Sequence, residues 1–236
     1  MTNLWSRRRL LLSGALGVAA AAAEPAIALA ALDQDVGDAA TVTPEQALRL
    51  LVAGNRRWVS GRVRHPNQSV ARRERLALSQ HPFATVFSCI DSRVPPELVF
   101  DRGIGDLAVV RTGAQVLDRG IVLGSVEFAG GLLHTPLILV MGHQRCGAVK
   151  SAIELIENGD TAPGHIQSVV DALRPAHAAA KHEPGNQLEN TVQAQTRLTV
   201  KELKSDPFIR DLIDRGELRV HGAYYSLDTG RASIIA

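Results

Sequence analysis

The chain has 236 residues, 45% of them apolar and 21% charged, with a formal net charge of +2. That is enough for one well-packed domain and too short for two large ones. No basic stripe with interleaved aromatics occurs, which argues against nucleic-acid binding, and much of the basicity comes from Arg7, Arg8 and Arg9 at the extreme N-terminus.

In chain order, those arginines precede Leu10-Leu11-Leu12 and a run of small and apolar residues that continues to Ala23. A positive n-region, a short apolar h-region and small residues around Ala26–Ala30 describe an export signal over residues 1–30. Paired arginines ahead of leucines resemble the twin-arginine (Tat) type, with a generic Sec signal as the plainer alternative. The apolar run is short of the ~20 residues a membrane-spanning helix needs, so no stable span is expected after signal removal. The mature protein is therefore expected in the periplasm, at the cell surface or outside the cell.

Residues 31–42 are polar and acidic without periodicity and read as a linker; a single domain is expected over 43–236. Thr43-Pro44-Glu45 starts a helix, with Thr43 as N-cap and Pro44 at the first position. Leu48, Leu51, Val52, Asn55 and Trp58 recur at helical spacing, and Gly61 ends it. Residues 62–75 read as a basic surface arm followed by a short helix. From Phe83 the pattern changes. Residues 83–88, 106–111 and 136–142 are near-continuous apolar runs, as in parallel strands covered on both faces. Pro95-Pro96-Glu97 opens a short helix, and residues 116–133 carry a longer helical pattern. Further helices are expected over 147–158, where Asn158-Gly159 stops the chain, and over 166–180 and 188–204. Residues 218–227 and 232–235 form a terminal hairpin around Asp228-Thr229-Gly230. The fold class is thus α/β: a central, mostly parallel sheet with an antiparallel C-terminal edge, flanked by helices.

Both cysteines follow strand-like runs, in Cys89-Ile90-Asp91-Ser92-Arg93 and in His143-Gln144-Arg145-Cys146-Gly147. Two cysteines in an exported protein suggest a disulfide by default. The neighbours argue for a metal instead, since a structural disulfide needs neither Asp91-Ser92-Arg93 beside one cysteine nor His143 before the other. Cys89, His143, Cys146 and the Asp91 carboxylate make up a tetrahedral zinc set, one Zn2+ per subunit. Three ligands would leave a catalytic position open, with Asp91 as fourth ligand or as holder of bound water. Arg93 is placed to pair with Asp91 and compete with zinc for it. If the strands ending near 88 and 142 are neighbours, Cys89 and His143 converge at the ligand-binding end of the sheet. The helix opening at Gly147 would aim its amides at Cys146.

These residues closely resemble a β-class carbonic anhydrase. The resemblance rests on Cys89-x-Asp91-Ser92-Arg93, Val94-Pro95-Pro96-Glu97, Gly103-Ile104-Gly105-Asp106, Gly124-Ser125-Val126-Glu127-Phe128-Ala129, residues 142–149 and residues 222–230, in family order. It implies reversible hydration of carbon dioxide to bicarbonate and a proton through a zinc-bound hydroxide. Cys89, His143 and Cys146 would be zinc ligands, and Asp91 and Arg93 the catalytic dyad. Gln80 would donate to substrate oxygen, in the family often from a partner subunit, with Gly147 and Phe128 beside the substrate. A homodimer or dimer of dimers is implied. Ala108 and Gln115 depart from the family pattern in the pocket wall and in the Thr112-Gly113-Ala114-Gln115 turn.

Two other readings keep the same residues: hydrolysis of carbonyl sulfide or carbon disulfide, and a non-catalytic zinc-stabilised bicarbonate sensor. His134, His165, His177, His182 and His221 have no ligand-spaced partners and read as surface or core histidines. Glu97, Asp101 and Asp106 read as caps or arginine partners.

Overall fold

Thr43 begins the first element as expected. Its hydroxyl accepts from the Gln46 amide (3.3 Å) while the Gln46 side chain accepts from the Thr43 amide (2.8 Å), a reciprocal cap ahead of Pro44. The structure, a computed structural model, describes residues 42–236. The export signal over 1–30, and the linker apart from Val42, lie outside the described residues.

The helices are α1 (Pro44–Val59), α2 (Val70–Leu76), α3 (Pro96–Val99), α4 (Ile121–Gly131), α5 (Gly147–Asn158), α6 (Ile166–Ala180), α7 (Gln187–Ser205) and α8 (Pro207–Asp214). The strands are β1 (Ala84–Cys89), β2 (Leu107–Thr112), β3 (Leu137–His143), β4 (Arg219–Tyr225) and β5 (Ala232–Ile234). They form one sheet in the order β2-β1-β3-β4-β5, parallel except for the β4–β5 pair. Every residue of β1 and β3 is buried, which is why those segments read as unbroken apolar runs. β2 lies at the sheet edge and is half-exposed along its length.

Period-two alternation sorts β3 into two cores. Leu137, Leu139 and Met141 pack with Leu50 and Leu51 of α1, Val149 and Ile153 of α5 and Leu173 of α6. Ile138 and Val140 pack with Val126 of α4, Val200 and Leu203 of α7 and Ile209 of α8. Burying each such side chain contributes about 1.5–3 kcal/mol, so the two faces of β3 together anchor the helices on both sides.

Two local expectations need correction. The helical pattern over 116–133 yields a helix only from Ile121, because Asp118 turns the chain first: its side chain accepts from the Gly120 amide (2.9 Å). Helix α8 was not expected at all. Its signal is short but present: Asp206 accepts from the amides of Phe208 and Ile209 (both 3.0 Å) and Pro207 follows at the first helical position.

Asp101 and Asp106 pair with arginines as expected. Asp101 accepts from Arg57 Nε (2.5 Å) and from the amides of Arg64 (3.0 Å) and His65 (3.0 Å), and it is 3% exposed. Burial pushes its carboxyl up, but the Arg57 guanidinium and the two amides outweigh this and leave it lowered. A lowered folded value means the stabilisation is complete above the unfolded value of about 3.9 and is lost as pH falls further. Asp101→Asn tolerates the left-handed backbone at this site (φ 47). It should be less stable than the native chain by about 2 kcal/mol at pH 7. That gap should narrow in urea titrations below about pH 4; a gap independent of pH would refute the ionic account.

Candidate metal centre

β1 and β3 are hydrogen-bonded neighbours with Ser88 opposite Met141, so both strands deliver their last residues to the same end of the sheet. Cys89 and His143 are those residues. Cys146 caps α5, and the chain reaches it by a turn in which Arg145 is left-handed (φ 51). One ligand atom each from Cys89, His143 and Cys146 lies within 4.8 Å of the others, and the three residues are no more than 3% exposed.

The donor set suits a divalent zinc-like ion. The two sulfurs are 3.9 Å apart, and both cysteines are free. A disulfide would need about 2.05 Å, whereas two zinc–sulfur bonds of about 2.3 Å at the tetrahedral angle span about 3.8 Å. His143 Nδ1 is 3.0 Å from the Gln144 carbonyl, which can only accept, so Nδ1 carries the proton. Nε2 is then a bare lone pair, buried and with no hydrogen-bond partner among the described residues. Such an orphan is costly unless it is coordinated.

Without a cation the two thiols share a proton. The Cys146 hydrogen bond, opposed by burial and helped by the amides of Asp91 and Ala114, pulls Cys89 down. The same pairing pushes Cys146 up, against the amides of Val149 and Ala148 at the start of α5. Those amides are the helix terminus expected to face Cys146. A coordinated cation deprotonates both sulfurs, which removes the conflict.

Asp91, the fourth candidate ligand, is outside this trio. Arg93 holds it by Nε to Oδ1 (2.9 Å), Nη2 to Oδ2 (2.7 Å) and its backbone amide to Oδ1 (3.0 Å). Its Oδ2 nevertheless stands 3.9 Å from His143 Nε2, at the rim of the centre. Chiefly through the Arg93 side-chain hydrogen bonds, its carboxyl is held at about 2, so Asp91 is ionised.

The other candidates are not gathered here. Gln80 is exposed ahead of β1, at the opposite end of that strand from Cys89. Six strand residues rise about 20 Å, too far for its side chain to return. Phe128 is 52% exposed on α4 and belongs to neither core. Gly147 is exposed, and a Cβ there would meet nothing within 4 Å. A cavity of about 440 Å³ lined by Thr43, His134, Pro136 and Leu218 lies at the amino ends of β3 and β4 and holds none of the ligand residues.

Several supporting residues escaped the sequence reading. Arg111, at the end of β2, donates to the carbonyls of Cys89 (2.8 Å) and Asp91 (2.6 Å) and so pins the Cys89–Asp91 segment. Its signal was a charge inside an apolar run. The Ala114 amide donates to Cys89 Sγ (3.3 Å). The residues between His143 and Cys146 are tied down from elsewhere: Asp228 accepts from Gln144 Nε2 (2.8 Å) and from Arg145 Nη2 (2.6 Å), and Glu189 accepts from the Arg145 amide (3.1 Å). The sequence marked Asp228 as part of the hairpin turn and of the family pattern, not as a partner of Gln144 and Arg145, and it did not announce Glu189. Gly142 precedes His143 because α7 presses there: a Cβ would lie 2.3 Å from Thr196 Oγ1.

Comparisons with known proteins point to one family. The sequence pattern of the carbonic anhydrase family matches residues 84–232. Carbonic anhydrase 2 of Mycobacterium tuberculosis is 40% identical over 190 residues, covering 80% of this chain and 91% of the relative. A carbonic anhydrase of Mycolicibacterium smegmatis is 35% identical over 192 residues, covering 81% and 93%. Among solved structures, the β-carbonic anhydrase CcaA aligns with a TM-score of 0.64 at 25% identity, covering 80% of this chain and 95% of that one. A structure of tetrameric β-carbonic anhydrases from Sordaria macrospora gives the same score at 21% identity, covering 80% and 96%.

Proposed function

The chain belongs to the β class of carbonic anhydrases, and from that premise we propose that it hydrates carbon dioxide reversibly on one zinc ion per subunit, held by Cys89, His143 and Cys146, with Asp91 and Arg93 as the catalytic dyad. The observation that carries this is the buried trio of two sulfurs and a bare imidazole nitrogen beside a carboxylate locked by an arginine.

Zinc, when bound, acts as a Lewis acid that makes water nucleophilic near neutral pH. The chain's own residues do the rest. The Asp91 carboxylate can only accept hydrogen bonds, so it selects the water that still carries a proton and turns a lone pair towards the carbon. Arg93 keeps both oxygens of Asp91 in place and leaves the carboxylate ionised. Its Nη2 also reaches the Arg145 carbonyl (3.3 Å), tying the dyad to the turn between two of the ligands. The product is bicarbonate, and the proton leaves to buffer.

We propose further that the chain forms a dimer, or a dimer of dimers, and the exposed edges of the fold support this. Among the described residues β2 is an unpaired, half-exposed edge, and Ile90, Leu98, Ile104 and Phe128 are exposed apolar residues. A second copy would let its Gln80 approach a site that the chain's own Gln80 cannot reach. Residues 1–30 direct export and residues 43–236 form one catalytic domain.

Metal analysis with carbon dioxide hydration across pH tests the reading. The expected result is about one zinc per chain, hydration lost on chelation and restored by zinc. Zinc with no hydration at any pH would move the chain to a binding role, and parallel assays with carbonyl sulfide and carbon disulfide would show whether those gases are substrates.

A further inference from the structure

Behind the metal centre lies a buried polar cluster that the reaction does not use. Ala114 and Gln115 are consecutive left-handed residues (φ 53 and 46), and neither is glycine. Non-glycine residues hold that conformation only where the surroundings impose it. The turn they make, Gly113–Gln115, is the one that directs the Ala114 amide at Cys89 Sγ (3.3 Å).

Gln115 supplies the imposing contacts. It is 1% exposed. Its Nε2 donates to Thr196 Oγ1 (3.3 Å), its carbonyl accepts from Thr199 Oγ1 (3.4 Å), and Gln195 Nε2 donates to the Thr199 hydroxyl (3.2 Å). Thr196 in turn donates to the Val192 carbonyl (2.9 Å), so its hydroxyl proton is committed and its lone pair faces Gln115. Thr196 Oγ1 and Gln115 Nε2 also occupy the space that a Cβ on Gly142, next to His143, would need (2.3 and 3.3 Å). One side of α7 thereby meets both the turn that bonds Cys89 and the strand end that carries His143.

We propose that Gln115 is a positioning residue for the metal centre. Tied to Thr196 and Thr199, it holds the left-handed turn that delivers the Ala114 N–H to the Cys89 sulfur, and that hydrogen bond draws charge from the thiolate and sets how strongly it donates to the metal. The inference rests on Cys89, His143 and Cys146 being the ligands.

Cobalt(II) in place of zinc reports on the sulfur directly through the thiolate-to-cobalt charge-transfer band. In the unaltered protein one cobalt per chain with that band is the check on the ligand set; its absence would refute the ligand reading, not the role of Gln115. Gln115→Ala should still bind one cobalt per chain, with the band moved to lower energy because the sulfur has lost its donor. Cobalt release to a chelator should nevertheless be roughly 10-fold faster, because loss of the braced turn that positions Cys89 outweighs the stronger donation of the freed sulfur. Thr196→Val, which keeps the packing volume against Gly142, should shift the band in the same direction, and the double variant should add little. An unchanged band and release rate in Gln115→Ala overturns the proposal; should that variant fail to fold, the same result in Thr196→Val overturns it.

Discussion

His143→Ala should leave a folded protein that carries little zinc and hydrates carbon dioxide no faster than buffer. The imidazole is fully buried, its Nδ1 proton is committed to the Gln144 carbonyl and its Nε2 has no hydrogen-bond partner among the described residues. Removing it leaves two sulfurs 3.9 Å apart, which bind a divalent ion without the nitrogen that completes the set. The fall in zinc affinity should exceed roughly 100-fold, the upper end for losing a mere outer-shell partner. The cavity left by the ring would destabilise the fold by about 2–4 kcal/mol, partly offset because a buried orphan nitrogen has gone. Zinc content by elemental analysis and hydration by stopped flow check this together. A variant that retains one zinc per chain and normal turnover would remove His143 from the ligand set.

Asp91→Asn should separate chemistry from metal binding. The carboxylate is bound by Arg93 and lies outside the trio, so zinc content should stay near that of the unaltered enzyme. Turnover should fall roughly 100- to 1,000-fold, the range for losing a positioned proton-handling group. The asparagine keeps the shape but loses the charge, and its NH2 group presents donors where only an acceptor was available, so it can no longer select the protonated water. It also faces the Arg93 guanidinium donor to donor, so Arg93 is released from at least one of its two contacts. The loss should therefore appear mainly in kcat, with KM little changed. Full turnover in the zinc-loaded variant would rule out the dyad mechanism.

Much of the site was legible from local sequence. Cys89, Asp91 and Arg93 lie within five consecutive positions and His143 and Cys146 within four, so their ligand chemistry is visible without any knowledge of the fold. The unbroken apolar character of β1 and β3 marked them as buried parallel strands, and Thr43-Pro44 and Asn158-Gly159 marked helix ends, because caps and burial act over a few residues. Less was legible where a short-range rule met a competing one. Asp118 interrupted an otherwise helical pattern, and Asp206-Pro207 opened a helix too short for its periodicity to stand out.

By itself, then, the sequence determined the donor types, the parallel strands that carry them and the family to which they point, since each is encoded by neighbouring residues. The tertiary structure alone decided that β1 lies beside β3, that Asp91 faces Arg93 rather than joining the sulfurs, that Arg111 holds the Cys89–Asp91 segment, that Gln115 meets Thr196, and that Asp228 and Glu189 hold the residues between His143 and Cys146. Those contacts join residues up to 84 positions apart, and they exist only because strand order and helix packing bring remote side chains within hydrogen-bonding range, a relation that no local pattern of residues records.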